Sequence, residues 1–400
     1  MTKPKLVFDP FSEEYFNDPF DIYRRMREET PLYYDEAGDF YALTRHEDVA
    51  AAFKDFETYS SARGCDLSMV RSGEPPQKSI IFMDPPEHRQ MRSLLNKAFT
   101  PRAMQAQRDT VVEQVERFLN AADPDSFDVV QDFSGPFPVE VITRMVGVAA
   151  EYRQKVRHWI DASLYREFGK PDISEEGMQA TIETATYYYG LVQQRRANLE
   201  DDMISKLILA EIEGEDGQPR RLDDIEITGF ATLLGGAGAE TVTKLVGIAA
   251  VLFARNPDQW QKLLDDRSKV PAAVEELLRY EGPVQYNVRY TVKEAQTSGG
   301  PIPAGKPVFL IGASANRDPE AFTDAETFDI DRDQTEAQHL GLGYGVHSCL
   351  GAALARMESS IALEKLLDFM PRYEVDWDGL QRVHMQNVAG WQNVPVRVIR

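Results

Sequence analysis

Cys349 occupies the position with the strongest chemical signature in the sequence. It follows the glycine-rich stretch "GLGYG" and precedes "LGAALARMESSIALEKLLDFM", which is strongly helical in character. Gly341, Gly343 and Gly345 can adopt positive φ values, so the loop can fold back and direct its backbone N–H groups at one centre. The N-terminus of a helix also favours a thiolate. A thiolate held by neutral donors is better suited to ligating a metal than to attacking a carbonyl group.

Three other roles compete for this cysteine. A lone buried thiol is most often structural, but the glycine loop argues against that role. A zinc ion bound by His339, His347 and Cys349 would lack the fourth ligand that a structural zinc site needs. A nucleophilic cysteine would need a histidine and a third orienting group, and the sequence identifies no such set. Metal ligation by Cys349 is therefore the preferred interpretation.

Composition limits the compartment and the partners. The first 20 residues carry charges and prolines, without an apolar run of the length that a signal peptide or membrane anchor needs. Cys65 and Cys349 are far apart in sequence, which favours a reducing compartment. We therefore expect a soluble, cytoplasmic protein. A net charge of -21 argues against binding to nucleic acids or to anionic membranes.

One segment reverses this negative charge. Residues 88–108 carry several basic side chains and no carboxylate. These side chains are Arg89, Arg92, Lys97, Arg102 and Arg108. The segment is interpreted either as a solvated helix face or as a docking patch or clamp for an anionic group.

Helical periodicity dominates the chain and predicts a mainly α protein. Predicted helices include residues 49–59, 109–122, 180–212 and 256–266, whereas short strand-like runs occupy residues 31–44, 287–292, 307–314 and 394–400. The strands suggest a small, mostly antiparallel sheet at one side. The polar stretch 211–226 is predicted to be an exposed turn between helices. Without a linker or an internal repeat, residues 1–400 are expected to form a single domain.

Residues 227–253 predict a helix that is apolar nearly all round, and that helix should be central. A membrane-spanning helix is disfavoured, because Glu240 and Lys244 would be costly in the middle of a bilayer. The small residues "GGAGA", 235–239, fit the close approach of a flat group and could bend the helix. Tight packing against another helix is the alternative explanation.

The stretch "HLGLGYGVHSCLGAALAR" resembles the cysteine-ligand loop of the cytochrome P450 family, whose pattern is Phe-Gly-x-Gly-x-His-x-Cys-x-Gly. Leu342 stands where the family has phenylalanine. The remaining motif positions match, at Gly343, Gly345, His347, Cys349 and Gly351.

Three further motifs strengthen the resemblance. Glu276 and Arg279 of "EELLR" match a buried Glu-x-x-Arg pair on the haem side of the family's fold. The segment "AGAET", which ends in Glu240 and Thr241, resembles the family's oxygen-activation motif. In "DPPEHRQMR", residues His88 and Arg92 match contacts to the haem propionates, for which Arg289 and His339 are further candidates. Propionates entering a protein need such charge-assisted partners to offset their lost hydration.

The resemblance covers most of the chain and implies the cytochrome P450 fold, a helix-rich triangular prism with a small β region. Haem b would lie between the central helix and the helix after Cys349, with Cys349 as axial thiolate ligand. Thr241 would hydrogen-bond the oxygen being activated, Glu240 would relay protons, and Leu342 would tune the redox potential modestly. The residues implied to contact haem are His88, Arg92, Ala237, Gly238, Arg289, His339, Leu342, Gly343, His347 and Gly351.

The implied activity is monooxygenation of a hydrophobic organic substrate by a monomeric enzyme. The implied substrate pocket contains Ile81, Phe82, Leu233, Leu234, Ala237, Val284, Asn287 and Trp391. No flavin-binding glycine motif or iron–sulfur cysteine cluster occurs in the sequence, so a separate ferredoxin or flavodoxin with its reductase is expected. Arg89, Lys97 and Arg102 would dock this partner. A peroxide-driven peroxygenase and a non-catalytic haem-binding protein are the alternatives.

Overall fold

Helices make up most of the computed structural model, which describes residues 6–74, 76, 78–96, 98–214 and 217–399. The α-helices within these ranges are α1 Glu13–Asn17, α2 Phe20–Glu29, α3 His46–Lys54, α4 Leu67–Ser72, α5 Glu87–Asn96, α6 Pro101–Gln105, α7 Arg108–Ala121, α8 Pro136–Val146, α9 Ala150–Leu164, α10 Glu175–Ala197, α11 Met203–Leu209, α12 Asp224–Arg255, α13 Pro257–Asp265, α14 Val270–Glu281, α15 Gly312–Ala315 and α16 Ala352–Phe369. A π-helix spans Val129–Ser134, and short 3-10 helices include Ile80–Phe82 and Gly345–His347.

The strands are short and gather into several small sheets. They are β1 Leu32–Asp35, β2 Phe40–Leu43, β3 Tyr59–Ser60, β4 Phe127–Asp128, β5 Glu211–Glu213, β6 Pro219–Arg221, β7 Asn287–Thr291, β8 Ala295–Thr297, β9 Gly300–Ile302, β10 Pro307–Leu310, β11 Tyr373–Val375, β12 Gln381–Arg382, β13 Trp391–Asn393 and β14 Pro395–Val398. The largest sheet has the order β1-β2-β10-β7-β3. Its pairs are antiparallel except for β2 with β10.

Helix α12 runs through the largest apolar core and is 32 residues long. A capping box starts it, since the Asp223 carboxylate accepts from the Glu226 N–H at 2.8 Å and the Glu226 carboxylate accepts from the Asp223 N–H at 2.9 Å. The helix is long and apolar enough to cross a membrane by composition, but 78% of its most apolar window is buried inside this fold. The helix is therefore explained by the protein core that surrounds it.

The small residues of α12 let neighbouring helices approach it closely. A Cβ added to Gly235 would overlap the Tyr188 hydroxyl on α10, and one added to Gly238 would lie 2.6 Å from Ile142 Cγ1 on α8. Tight helix packing therefore accounts for these two glycines. The helix continues without interruption through the "GGAGA" segment.

Four sequence predictions need correction at their boundaries. The predicted helix 49–59 is observed as His46–Lys54, and Tyr59 already belongs to β3. The periodic stretch 180–212 divides into α10, α11 and β5, because Asn198 is extended and the Asp202 carboxylate then caps α11 through the Ser205 N–H at 2.7 Å. The polar stretch 211–226 contains the antiparallel pair β5–β6 as well as a turn. The run 307–314 ends as a strand at Leu310 and enters α15.

A buried ion pair ties α14 to the loops that follow β10. Arg279 donates to both carboxylate oxygens of Glu276 at 2.7 and 2.8 Å, and both side chains are almost fully buried. The same guanidinium donates to the carbonyl groups of Asn316, Ala325 and Thr327. It therefore links three loop positions to one helix.

We expect Arg279→Met to destabilise the protein by about 3–5 kcal/mol, because Glu276 and the three carbonyl groups would keep their buried positions without these donors. The measurement is the midpoint of urea-induced unfolding. Arg397→Met is the control, because Arg397 pairs with Glu374 at an exposed position and such pairs contribute little. Equal shifts in the two variants would contradict a special role for the buried pair.

Candidate active site

The loop before α16 places the Cys349 side chain at the wall of a cavity. Gly343 and Gly345 have φ values of 67° and 69°, in the left-handed region. The Cys349 N–H then donates to the Leu342 carbonyl at 2.7 Å. The helix itself begins only at Ala352, so Cys349 precedes it by one short turn.

The surroundings of the Cys349 thiol act on its pKa in opposite directions. Burial raises the pKa of the thiol, whereas the backbone N–H of Gly351 and the charge of Arg92 lower it, and the net direction is upward. The local donors therefore act on this pKa in the predicted direction, but burial outweighs them. Coordination to a metal removes a thiol proton outright, so the raised pKa is compatible with ligation.

Two adjoining cavities meet at Cys349, with volumes of about 180 and 220 Å³. Both are lined by Thr241, Val242, His347, Cys349 and Ala355. Thr241 and Val242 belong to α12, whereas Ala355 belongs to α16. The cavities therefore lie between the central helix and the helix that follows the cysteine.

Cationic and neutral nitrogen donors gather at these cavities. His88 and Arg92 line one, Arg289 lines the other, and His347 lines both. Both ring nitrogens of His88 are buried without a hydrogen-bond partner in the described part of the chain. The guanidinium of Arg289 is buried and donates to the Val288 carbonyl at 2.9 Å. Such orphaned and cationic donors fit a ligand that carries carboxylates.

The two histidines are neutral at pH 7. Burial, followed by the charge of Arg92, lowers the pKa of His88 to about 4. Burial, followed by the charge of Arg289, lowers the pKa of His347 to about 3. His347 also lies 3.2 Å from the Ser61 hydroxyl through its Nε2 atom. The arginines would therefore neutralise the charge of a bound carboxylate, and the uncharged histidines would contribute hydrogen bonds.

Thr241 and Glu240 lie on different sides of α12. Thr241 lines both cavities, and its hydroxyl donates to the Ala237 carbonyl at 3.1 Å. Glu240 is not among the described residues that line them; it is buried instead beside Lys244, whose Nζ atom lies 3.0 Å from Glu240 Oε2. The predicted pair is therefore adjacent in sequence, but only its alcohol faces the cavities at Cys349.

Most other predicted contact residues line the same cavities. Those in the larger cavity are Ile81, Leu233, Leu234, Ala237, Gly238 and Gly351. Those in the smaller cavity are Val284, Asn287, Leu342 and Gly343.

Three predicted residues, Phe82, His339 and Trp391, are not among the described residues that line either cavity. His339 Nε2 lies 3.0 Å from the Glu275 carboxylate on α14, so its ring is already engaged elsewhere. The Trp391 ring lies under the Arg382 guanidinium, 3.8 Å from it, within the main core. Among the described residues, no three His, Cys, Asp or Glu side chains come together to hold a metal ion, so the zinc alternative has no common centre.

Sequence reasoning missed Glu358 of α16, which lines the larger cavity. Burial raises the pKa of its carboxyl well above the usual value. One of its oxygens has no hydrogen-bond partner in the portion of the chain that is described. The sequence could have indicated that Glu358 is buried, because it shares a helix face with the apolar residues Leu354 and Ile361.

Two of the three predicted docking residues occupy exposed positions on helices α5 and α6. Arg89 on α5 and Arg102 on α6 are exposed, and Lys97 lies outside the described residues. On the same helix as Arg89, Arg92 donates to the Ser348 carbonyl at 2.6 Å, next to Cys349. Helix α5 therefore connects the basic surface to the sulfur.

Comparison with known proteins agrees with this architecture. The Cytochrome P450 family model matches residues 16–388. The chain is 38% identical to a putative cytochrome P450 123 of Mycobacterium tuberculosis over 99% of this chain and 98% of that protein. It is 35% identical to the erythromycin C-12 hydroxylase of Saccharopolyspora erythraea, over 93% and 92% of the two chains. The structure of CYP109E1 from Bacillus megaterium in complex with testosterone matches with a TM-score of 0.85 and 32% identity, over 97% and 99% of the two chains.

A helix-rich fold with a cysteine loop facing a central helix defines a haem-thiolate protein. The chain belongs to the cytochrome P450 family. Its cofactor is haem b with a cysteine thiolate as axial ligand, and it is a monooxygenase. The predicted fold and cofactor are thereby confirmed. The apolar walls, the sulfur on the wall of both cavities and the arginine and histidine nitrogens around them fit that cofactor.

Gly345→Ala should lower the haem content of the purified protein. The left-handed conformation costs a non-glycine residue roughly 1–2 kcal/mol, and the added Cβ would overlap the backbone carbonyl oxygen of Phe53. The ratio of Soret absorbance to protein concentration measures the effect. Gly190→Ala on α10, where an added Cβ meets nothing within 4 Å, should keep the haem content of the parent. Full haem content in Gly345→Ala would contradict the need for this loop geometry.

Proposed function

We propose that Cys349 is the axial ligand of a P450 that inserts one atom of O2 into a large hydrophobic substrate. The observation that carries the proposal is the position of Thr241 and Cys349 on the walls of the same two cavities. Residues 1–400 would act as a single domain, as a monomer in the cytoplasm.

When bound, haem with a thiolate ligand supplies the chemistry that activates dioxygen. Arg92 and Arg289 would hold its propionates by charge-assisted hydrogen bonds, with His88 and His347 as neutral partners. Thr241 would present its hydroxyl to the two cavities that it lines with Cys349. Its present acceptor is a carbonyl of its own helix, so a small side-chain rotation redirects the proton. Glu240 would supply protons from the side of α12 that does not line these cavities.

Two alternatives remain weaker. A peroxide-driven peroxygenase would not need an acid and an alcohol at consecutive positions of α12. A non-catalytic haem-binding protein is disfavoured because a relative that aligns with 93% of this chain is named as a hydroxylase. Comparing turnover driven by a ferredoxin system with turnover driven by peroxide distinguishes a monooxygenase from a peroxygenase.

The substrate is proposed to be a rigid, mostly apolar molecule of steroid or macrolide size. The wall formed by Leu233, Leu234 and Val284 is apolar, and Asn287 adds one amide. The structure of CYP109E1 contains testosterone, and the structure of a mutant of P450 EryK contains erythromycin B. A shift of the Soret band on adding such compounds would identify candidates.

Cys349→Ala should abolish the red-shifted Soret band of the reduced, carbon-monoxide-bound protein, because that band requires a thiolate ligand. Cys65→Ala is the matched control, since Cys65 is the other cysteine of the sequence and is not among the described residues lining either cavity. The control should retain the band. An unaltered band in Cys349→Ala would overturn the assignment.

We propose further that a small acidic redox protein, a ferredoxin or a flavodoxin, delivers electrons over α5 and α6. Arg89 and Arg102 are exposed there within a segment that carries no carboxylate between residues 88 and 108. Charge complementarity of this kind mainly raises the association rate and is screened by salt.

Arg102→Glu should lower the reduction rate by a ferredoxin roughly tenfold at low ionic strength. The rate difference should shrink as salt is added, and stopped-flow absorbance measures it. Arg71→Glu is the control, because Arg71 is exposed on α4, a helix whose buried residues belong to a different core cluster. If the Arg102 and Arg71 variants behaved alike, the proposed docking surface would be wrong.

A further inference from the structure

Helix α10 has an apolar side that the fold does not cover. Its buried side packs on α9 and α12 and carries Gly177, Ala180, Thr184, Tyr188, Leu191, Val192 and Arg195. Met178, Ile182 and Tyr189 lie on the opposite side and are 48%, 52% and 42% exposed. At 3.6 residues per turn, these three positions fall within about 40° of one another around the helix. We call this side the outer face of α10, and its central residues are Met178, Ile182, Ala185, Thr186, Tyr189 and Gln193.

The outer face is free of charge over its central part. From residue 178 to residue 194 the sequence has one charged residue, Glu183, although 27% of the chain is charged. Glu183 lies about 100° from Ile182 around the helix, where its carboxylate accepts from Gln179 at 3.3 Å. The solvent side of a helix in a globular protein is normally polar. A contiguous apolar surface of this kind is typical of an interaction site.

Gly190, at the edge of the outer face, has no packing role within the described chain. An added Cβ would meet nothing within 4 Å there, in contrast to Gly235 and Gly238 of α12. Glycine in a helix interior costs roughly 1 kcal/mol relative to alanine. Because no neighbour inside the fold requires this glycine, a close approach from outside the chain explains it better.

The outer face is complementary to a second copy of itself that runs in the opposite direction. A two-fold axis between Ala185 and Thr186 places Ile182 of each copy opposite Tyr189 of the other. The two-fold symmetry repeats this aliphatic–aromatic contact on both sides of the axis. The small Ala185 side chain at the centre allows the two backbones to come close.

The charges at the ends of the helix fit the same arrangement. The axis places Glu175, in the first turn of α10, opposite Arg196, in the last turn, and both residues are exposed. Arg196 is held at that end by Asp224 and by the Leu222 carbonyl. Antiparallel packing also brings the positive end of each helix dipole near the negative end of the other. A parallel arrangement would instead place like charges together.

We propose that the outer face of α10 is a self-association surface, through which two copies of the chain form a weak symmetric dimer. A standard interface buries about 800 Å² per partner, which is more than one helix face offers. We therefore expect reversible association that appears at micromolar concentrations. Cys349 and Thr241 lie on other elements, so each copy keeps a complete site and the single chain stays the catalytic unit.

A membrane surface is the competing occupant of this face. Helices that lie on membranes are rich in lysine and arginine on their polar side. Helix α10 carries Glu175, Glu176 and Glu183 near the outer face, and Arg196 is the one exposed cation among its described residues. The charge pattern therefore favours a second copy of the chain.

The first test is sedimentation velocity of the haem-loaded protein over a concentration series that extends into the high micromolar range. The parent should pass from monomer to dimer. Ile182→Asp should raise the dissociation constant at least roughly tenfold, because it buries a charge on each side of the axis. Val292→Asp is the matched control, since Val292 is an exposed aliphatic residue after β7, and it should match the parent. A parent that stays monomeric, or equal behaviour of the two variants, would overturn the proposal.

The second test is disulfide cross-linking, which reports the register. Thr186→Cys lies beside the axis and should link to its own counterpart under mild oxidation. Met178→Cys is equally exposed, but the two copies of that position would be about 22 Å apart along the helices, whereas a disulfide needs Cα atoms within about 7 Å. The unsubstituted protein, with Cys65 and Cys349, should remain uncrosslinked. Equal linking of Thr186→Cys and Met178→Cys would refute the antiparallel pairing.

A third measurement separates the membrane from the second copy. The parent and Ile182→Asp are sedimented with vesicles of phosphatidylcholine and phosphatidylglycerol, and neither should bind. Binding by the parent that is lost in Ile182→Asp, together with a monomeric parent, would assign the face to a membrane and overturn the proposal. The carbon-monoxide spectrum should be the same in all these variants, so the outcome is independent of the proposed function.

Discussion

Burial of α12 is the constraint on which the rest of the structure depends. Its middle lacks bulky side chains, so Tyr188 and Ile142 come into contact range through Gly235 and Gly238. This close approach fixes α8 and α10 against the helix and leaves Ala237 and Gly238 on the wall beside Cys349. Small residues therefore serve both interpretations made from the sequence, since Gly238 packs against Ile142 and both residues line the cavity beside Cys349.

Burying polar groups in this helix requires partners on each side. Thr241 is satisfied by a carbonyl of its own helix, whereas the charge of Glu240 is balanced one turn later by Lys244. Thr243 anchors the same turn by donating to the Ser134 carbonyl at 2.8 Å. A buried charge without such a partner would cost several kcal/mol. The polar turn is therefore tolerated in an apolar core because each of its members has a local or packed counterpart.

Much of this arrangement could be predicted because it is encoded locally. The glycine loop at Cys349, the central helix, α7 and the β1–β2 pair follow from motifs or periodicity. Features set by contacts between residues far apart in the sequence could not be predicted in this way. His339 is engaged by Glu275, 64 positions away, and Trp391 by Arg382 across a β pair. Glu240 faces a cavity that Asp161 of α9 also lines, and periodicity states only which residues share a face of one helix.

Leu342 shows how a departure from a family motif can leave the loop geometry intact. The turn at Cys349 is closed by backbone bonds, from the Gly343 N–H to the Leu340 carbonyl at 2.9 Å and from the Cys349 N–H to the Leu342 carbonyl. Neither bond involves the side chain of residue 342. That side chain is half-buried, lines the smaller cavity and packs against the main core. The backbone therefore presents the sulfur without help from the side chain at position 342, which forms part of the cavity wall instead.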